Sequence, residues 1–222
     1  CVYVLTFFGN IMAAEVEHLR DQISFLLEIA KPADEIVIRL TSPGGAVPQY
    51  GLASSQLERL KQAGLSCVVC VDTVAASGGY MMAAAANKIV AAPFAIIGSI
   101  GVVAGIPNFH RVLQKNEVDY HLFTAGKYKR TVTPFSKVTK EGKQKVQDDI
   151  SAIHDAFKKV IKEGRPDVDI EEIATGEYWL ASQAKEKGLV DEIMTSDDYL
   201  SSKLDEREVI EIKTEVDQNR LE

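Results

Sequence analysis

Residues 2–8 read VYVLTFF, a β-branched and aromatic run that predicts a strand. From Ala13 to Ala30 the apolar positions change period. Val16, Leu19, Ile23, Leu26, Leu27 and Ala30 recur every three or four residues among acids and bases, which predicts an amphipathic helix ended by Lys31-Pro32. Glu35–Leu40 scarcely alternates and reads as a strand covered on both faces. A second helix is predicted over Gln49–Ala63, with Gly64 as its C-terminal stop. Ser66–Val71 is the third strand. It leads through Thr73–Tyr80, TVAASGGY, into an alanine-rich helix that runs to about Ala86, and Lys88–Ala92 is a fourth strand broken by Pro93.

The second half of the chain is less regular. Asn108–Asn116 reads as helical and Asp119–Thr124 as strand-like. Thr139–Gly164 is the clearest amphipathic helix, with Val146, Ile150, Ile153, Phe157, Val160 and Ile161 on one face. Short elements follow at Ile170–Ala174, Tyr178–Leu180 and Ala181–Lys187, and a final strand follows Gly188. Residues 1–193 read as one domain and 194–222 as a polar tail. Within the tail, Val209–Ile212 is a weak edge strand that a neighbouring subunit could use. The terminal Leu221-Glu222 reads as an expression scar and is left out of the fold reading.

Strand alternating with helix predicts a layered α/β fold with a mainly parallel sheet. In such folds sites lie beyond the carboxyl ends of strands. Ser42-Pro43-Gly44-Gly45 and Ser77-Gly78-Gly79 both fall there, after different strands, so both can face one crevice.

Composition narrows the chemistry only a little. With 46% hydrophobic and 26% charged residues the chain suits a soluble globular protein, and a net charge of −7 argues against a nucleic-acid partner. Cys67 and Cys70 form a CxxC, but inside an apolar run with no second Cys or His pair, so they read as buried small hydrophobes rather than metal ligands or a redox pair. The chain starts at Cys1 and holds no apolar stretch long enough to span a bilayer. It therefore reads as beginning inside a longer gene product, with any membrane anchor lying upstream.

A lone serine at a strand-to-helix junction, followed by two glycines, can present a nucleophile. The glycines admit other backbone, and the helix start favours a developing oxyanion. Ser77 as a plain helix N-cap explains the octapeptide equally well. A serine nucleophile needs a base. Of the four histidines, His18 and His154 lie on helix bodies, His110 starts a helical segment and His121 sits in a strand-like run, and spacing singles out none of them. A lysine base must shed its proton near neutral pH, which from an ordinary pKa of ~10.4 takes about 4 kcal/mol of desolvation. Lys127 and Lys129 are two apart and would point the same way from an extended segment, so the pattern alone leaves both open.

Ser42-Pro43-Gly44-Gly45, Ala76-Ser77-Gly78-Gly79-Tyr80, Gly98-Ser99-Ile100-Gly101-Val102, Tyr128-Lys129, and Gln183-Ala184 with Gly188-Leu189-Val190-Asp191 occur in this order. Together they resemble the signal peptide peptidase A/SohB family of bacterial serine proteases, peptidase family S49, over about Val2–Ile193, and its SohB branch most. The resemblance implies a crotonase/Clp-protease-like layered fold and a serine protease with a Ser-Lys dyad and no metal or organic cofactor. Ser77 would be the nucleophile and Lys129 the general base, with Ser99 holding the lysine in place. The backbone amides of Gly78 and of Gly44 or Gly45 would form the oxyanion hole. Lys127 stays as the second candidate base.

The resemblance further implies peptide substrates such as remnant signal peptides and a homo-oligomeric ring. It implies attachment to the bacterial inner membrane through a segment outside this chain, with the catalytic domain facing the periplasm. Clp protease subunits share the SPGG turn but use a histidine where this chain has Val102. Two further readings are a catalytically silent scaffold of the same fold and a crotonase-type acyl-CoA enzyme, although neither glycine turn holds an acidic residue.

Overall fold

Strand β1 (Val2–Phe8) sends Val2 and Val4 to one side and Tyr3, Leu5 and Phe7 to the other, and buries both sets. Two-sided burial calls for a layer on each face, and the rest of the chain supplies them. The structure is a computed structural model that describes residues 1–214. The end of the C-terminal stretch, with Leu221-Glu222, lies outside the described residues.

Helix α1 (Val16–Ile29) buries Val16, Leu19, Ile23 and Leu26, the stripe its periodicity predicts. Strand β2 (Glu35–Thr41) pairs parallel with β1 from Val2↔Glu35 to Phe8↔Thr41. Helix α2 (Val47–Gln62) starts earlier than its apolar pattern suggests, because Pro48 suits a first helical turn. Strand β3 (Ser66–Val71) pairs parallel with β2. The chain then leaves this sheet. Strand β4 (Val74–Ala76) is a separate element, so the strand that delivers Ser77 is β4 and not, as the apolar run suggests, β3. Helix α3 (Gly78–Ala84) is buried along its whole length.

Strand β5 (Lys88–Ala91) returns to the main sheet beside β3, and β6 (Ile96–Gly98) pairs parallel with β4. Helices α4 (His110–Lys115), α5 (Lys140–Gly164) and α6 (Ile170–Ile173) follow. Strand β7 (Tyr178–Leu180) lies antiparallel to β6, and helix α7 (Ala181–Glu186) leads on to β8 (Glu192–Ile193) beside β5. The stretch that reads as a polar tail carries helix α8 (Ser196–Ser201) and strand β9 (Val209–Glu211). β9 pairs parallel with β1 of its own chain.

The main sheet is six-stranded and parallel, in the order β8-β5-β3-β2-β1-β9, and the second sheet is β4-β6-β7. This is the expected layered α/β fold. One face of the main sheet packs on the helices through Leu5, Ile36, Ile38, Val69 and Ile89. The other carries Val4, Val37, Val68 and Val90 against Tyr199 of α8. Cys67 belongs to the first face and Cys70 to the second. The two thiols of the CxxC therefore point to opposite sides of one strand, and burial pushes both up to about 12. Among the described residues no group of His, Cys, Asp or Glu is arranged to hold a metal ion. None of the described helices is long and apolar enough to cross a membrane.

The chain divides into two compact units, residues 1–101 with 157 onward, and residues 102–156. The second holds α4, the first part of α5 and the loop between them. Asp119–Thr124, strand-like by composition, forms no strand there. No described strand pairs with it, and local propensity alone does not hold a strand.

Candidate active site

Ser42, at the carboxyl end of β2, is tied directly to β4. Its N–H donates to the Val74 carbonyl at 2.8 Å, and its own carbonyl accepts from the Ala76 N–H at 3.0 Å. This one-residue parallel bridge, Ser42↔Ala75, joins the two sheets and sets the SPGG turn beside the segment that carries Ser77. The approach is close. A Cβ on Gly44, whose φ is +87°, would stand 2.7 Å from the Ala76 carbonyl oxygen, the Gly78 nitrogen and the Ser77 Cβ. Only glycine fits there. The two glycine turns thus share one crevice, as the strand order predicts.

Ser77 stands at the N-cap position of α3 but does not act as a cap. An N-cap residue has extended backbone and a side-chain oxygen that accepts from the first helical turn. Ser77 has φ 51° and ψ −120°, and its side chain makes no capping bond. Among the described residues of this unit the Ser77 hydroxyl has no hydrogen-bond partner. The conformation is imposed by bonds on both sides: the Ser77 N–H donates to the Gly98 carbonyl at 2.8 Å, and the Ser77 carbonyl accepts from the Met81 N–H at 3.0 Å. A non-glycine residue held there stores roughly 1–3 kcal/mol, and such strain gathers at functional sites.

Ser99 lies alongside. β4 and β6 pair in register at Ala76↔Gly98, so Ser77 and Ser99 follow paired positions on neighbouring strands. Ser99 too has a positive φ, 53°, fixed by its N–H donating to the Glu177 carbonyl at 2.6 Å. Two unrelated-looking serines in the sequence are therefore adjacent strand ends in the fold.

The amides divide the oxyanion candidates. The Gly44 N–H donates to the buried Ser42 Oγ at 3.0 Å and is already used. Among the described residues of this unit the Gly45 N–H has no partner, and Gly78 is the first residue of α3, where an N–H has no intrahelical acceptor.

The lysines lie in the second unit, on the exposed loop before α5. Lys129 is exposed, in a turn closed by its N–H on the Gly126 carbonyl at 3.1 Å. Lys127 pairs with Glu141 at 2.8 Å and lies over the Tyr128 ring. The hydrogen bond to the Glu141 carboxylate raises the Lys127 pKa and holds its proton on, the opposite of what a general base requires. His18, the first unit's one histidine, stands exposed on α1 beside Thr6, Glu15 and Gln22, in a different cavity.

Two family models cover most of the chain. Peptidase family S49 matches residues 59–210, and the N-terminal region of family S49 matches residues 1–57. The chain belongs to peptidase family S49. The S49 relatives include a probable protease SohB of Haemophilus influenzae, 55% identical over 96% of this chain. A probable protease SohB of Buchnera aphidicola is 51% identical over 96% of it. A putative signal peptide peptidase SppA of Enterococcus faecium is 29% identical over 86% of it. The chain spans 60% and 63% of the length of the two SohB relatives.

Reading the sequence alone misses two parts of this candidate site. Tyr50, buried on α2, contacts Ser42, and Gly9 packs against both. Nothing in an amphipathic helix separates a tyrosine that packs from one that also aims its hydroxyl, and Gly9 reads as an ordinary turn.

Proposed function

We propose that this chain is the catalytic domain of a serine endopeptidase with a Ser77-Lys129 dyad. The reading rests on one observation above the rest: a strained serine whose side chain makes no capping bond, packed directly against the Gly44 turn. In this mechanism neutral Lys129 Nζ takes the Ser77 proton as Oγ attacks a peptide carbonyl. The tetrahedral oxyanion is held by the Gly78 and Gly45 N–H groups. Lys129 returns the proton to the leaving amine, and an acyl-enzyme on Ser77 remains. Water, deprotonated by Lys129, then releases the acyl group and restores Ser77. Ser99 accepts a hydrogen bond from Lys129 and orients it.

An amine in open water keeps its proton at neutral pH. The mechanism therefore needs Lys129 covered, and a second copy of the chain is the cover we favour. The unit at 102–156 is rich in exposed apolar side chains, among them Val103, Val112, Val118 and Phe123, and α4 buries none of its residues. Such a surface suits assembly into a homo-oligomeric ring. By likeness to the SohB and SppA relatives, the substrates are peptides such as remnant signal peptides, cleaved at the periplasmic face of the bacterial inner membrane.

The test is digestion of a peptide library by the native chain, by Ser77→Ala and by Lys129→Ala, with labelling of Ser77 by an acylating probe. Both variants should be inactive and folded. Mixing the two inactive variants should restore some activity if copies share the dyad. Full cleavage by Lys129→Ala, or a native chain that neither cleaves nor labels, would reject the dyad.

A further inference from the structure

A line of three hydrogen bonds, two buried and the last part-buried, runs from the SPGG turn to the Asn10 carbonyl. The Tyr50 hydroxyl donates its one proton to the Asn10 carbonyl at 2.7 Å. At its 2.6 Å contact with Ser42 Oγ, Tyr50 must therefore accept, and Ser42 must donate. Ser42 Oγ in turn accepts the Gly44 N–H at 3.0 Å. The direction is fixed along the whole line: Gly44 N–H to Ser42, Ser42 to Tyr50, Tyr50 to Asn10. Ser42 and Tyr50 are both fully buried, so water cannot replace a missing member at low cost.

The line is packed so tightly that it excludes side chains around it. A Cβ on Gly9 would come within 2.4 Å of the Tyr50 hydroxyl and 2.6 Å of Ser42 Oγ. On the other flank, a Cβ on Gly78 would meet the Tyr50 ring at 2.4 Å. One tyrosine thus touches both amide donors' segments. Its ring backs Gly78, and its hydroxyl, through Ser42, holds the Gly44 peptide turned inward. With that peptide held, the next amide, Gly45, has no partner among the described residues of this unit.

We propose that Tyr50 and Ser42 are positioning residues that orient the oxyanion-binding amides through this directed hydroxyl relay. The proposal rests on the serine-protease reading above and deepens it: neither hydroxyl touches substrate, and both act on the transition state through the backbone of Gly44 and Gly45.

The experiment uses the full chain with Tyr50→Phe, which keeps the ring on Gly78 and removes only the hydroxyl. Thermal unfolding checks that the variant folds. A cleaved peptide gives kcat and KM. A peptide aldehyde, which forms a tetrahedral adduct on Ser77, is compared with the matching unreactive alcohol. Misaimed donors should lower kcat about 10- to 100-fold with KM within about two-fold, because the loss falls on the transition state alone. Aldehyde affinity should fall in parallel, and alcohol affinity should not. Ser42→Ala should lose as much, and the double variant little more, since groups in one relay are not additive. If Tyr50→Phe fails to fold, Ser42→Ala carries the same expectation. Unchanged kcat and aldehyde affinity in a folded variant, or a loss carried by KM, overturns the relay while leaving the protease reading intact. A native chain inert to both peptide and aldehyde overturns the protease reading, and the relay with it.

Discussion

Replacing Ser77 by glycine separates a strained nucleophile from a helix cap, because the two readings predict opposite signs. A capping serine stabilises its helix, so glycine there costs a few tenths of a kcal/mol and alanine about 1 kcal/mol. The backbone at Ser77, φ 51° and ψ −120°, is instead one that glycine adopts freely and a residue with a Cβ does not. Releasing that strain returns roughly 1–3 kcal/mol, against which the extra freedom of glycine in the unfolded chain costs about 0.5–1 kcal/mol. The net expectation is a gain of about 1 kcal/mol, or roughly 2–4 °C in Tm for a domain of this size. Ser77→Ala keeps the Cβ and should stay within about 0.5 kcal/mol of the native chain. Calorimetry of the three proteins, with peptide cleavage assayed alongside, decides it. Ser77→Gly should be the most stable and wholly inactive. If it melts below the native chain, the serine is not under strain and the argument from its conformation fails.

Gly44→Ala puts a Cβ 2.7 Å from backbone of the serine segment at a positive φ, so it should destabilise by about 2 kcal/mol or more and abolish cleavage; urea titration and the peptide assay read both. Cys67 and Cys70 should resist a maleimide in the folded chain, while Cys1, which is exposed, reacts at once. Their folded pKa values, about 12, lie above the ordinary thiol value of 9.0. The stability this represents is whole below pH 9 and drains away as pH rises toward 12, so denaturant midpoints measured across that range should fall. Arg165 is buried, donates to both oxygens of Asp191 at 3.0 and 2.8 Å, and has no other side-chain partner for its remaining nitrogens among the described residues. Asp191→Ala should therefore cost about 3–5 kcal/mol, because it leaves the buried guanidinium without its counter-charge, and double replacement with Arg165→Met should recover part of it in a urea titration.

How far the sequence carries depends on the length over which a pattern repeats. β1 and β3 and the long helix α5 are legible because several turns or alternations agree, and their ends match the pattern to within a residue. β4 and β6 have three residues each, too few for any period to show, and so the second sheet is invisible in the sequence. That omission matters for the site. Ser77 and Ser99 stand out locally as glycine-flanked serines, but only the β4–β6 pairing makes them neighbours. The preference for Lys129 over Lys127 rests on the family resemblance, not on geometry. The ion pair of Lys127 with Glu141 adds a physical reason, carried by a residue on a predicted helix that nothing in the sequence links to the loop.

The break between β3 and β4 explains why Ser77 sits where it does. Had β3 run on, residue 77 would end a strand of the main sheet, flanked there by β2 and β5. Instead Asp72 and Thr73 turn the chain out. The Asp72 carboxylate accepts both the N–H of Ser196, at 2.7 Å, and its hydroxyl, at 2.5 Å, while the Thr73 carbonyl accepts the Ile96 N–H at 2.8 Å. The first pair fixes the end of β3 against the start of α8, and the second starts the ladder between β4 and β6. Ser42 then closes the corner from the β2 side through its two backbone bonds to β4. A strand held at three points over five residues has little freedom to relax, and that is the condition under which an unfavourable backbone at Ser77 can persist. The strain at the serine, the positive φ at Gly44 and the closeness of the two turns are thus one consequence of moving a short strand from the large sheet to the small one.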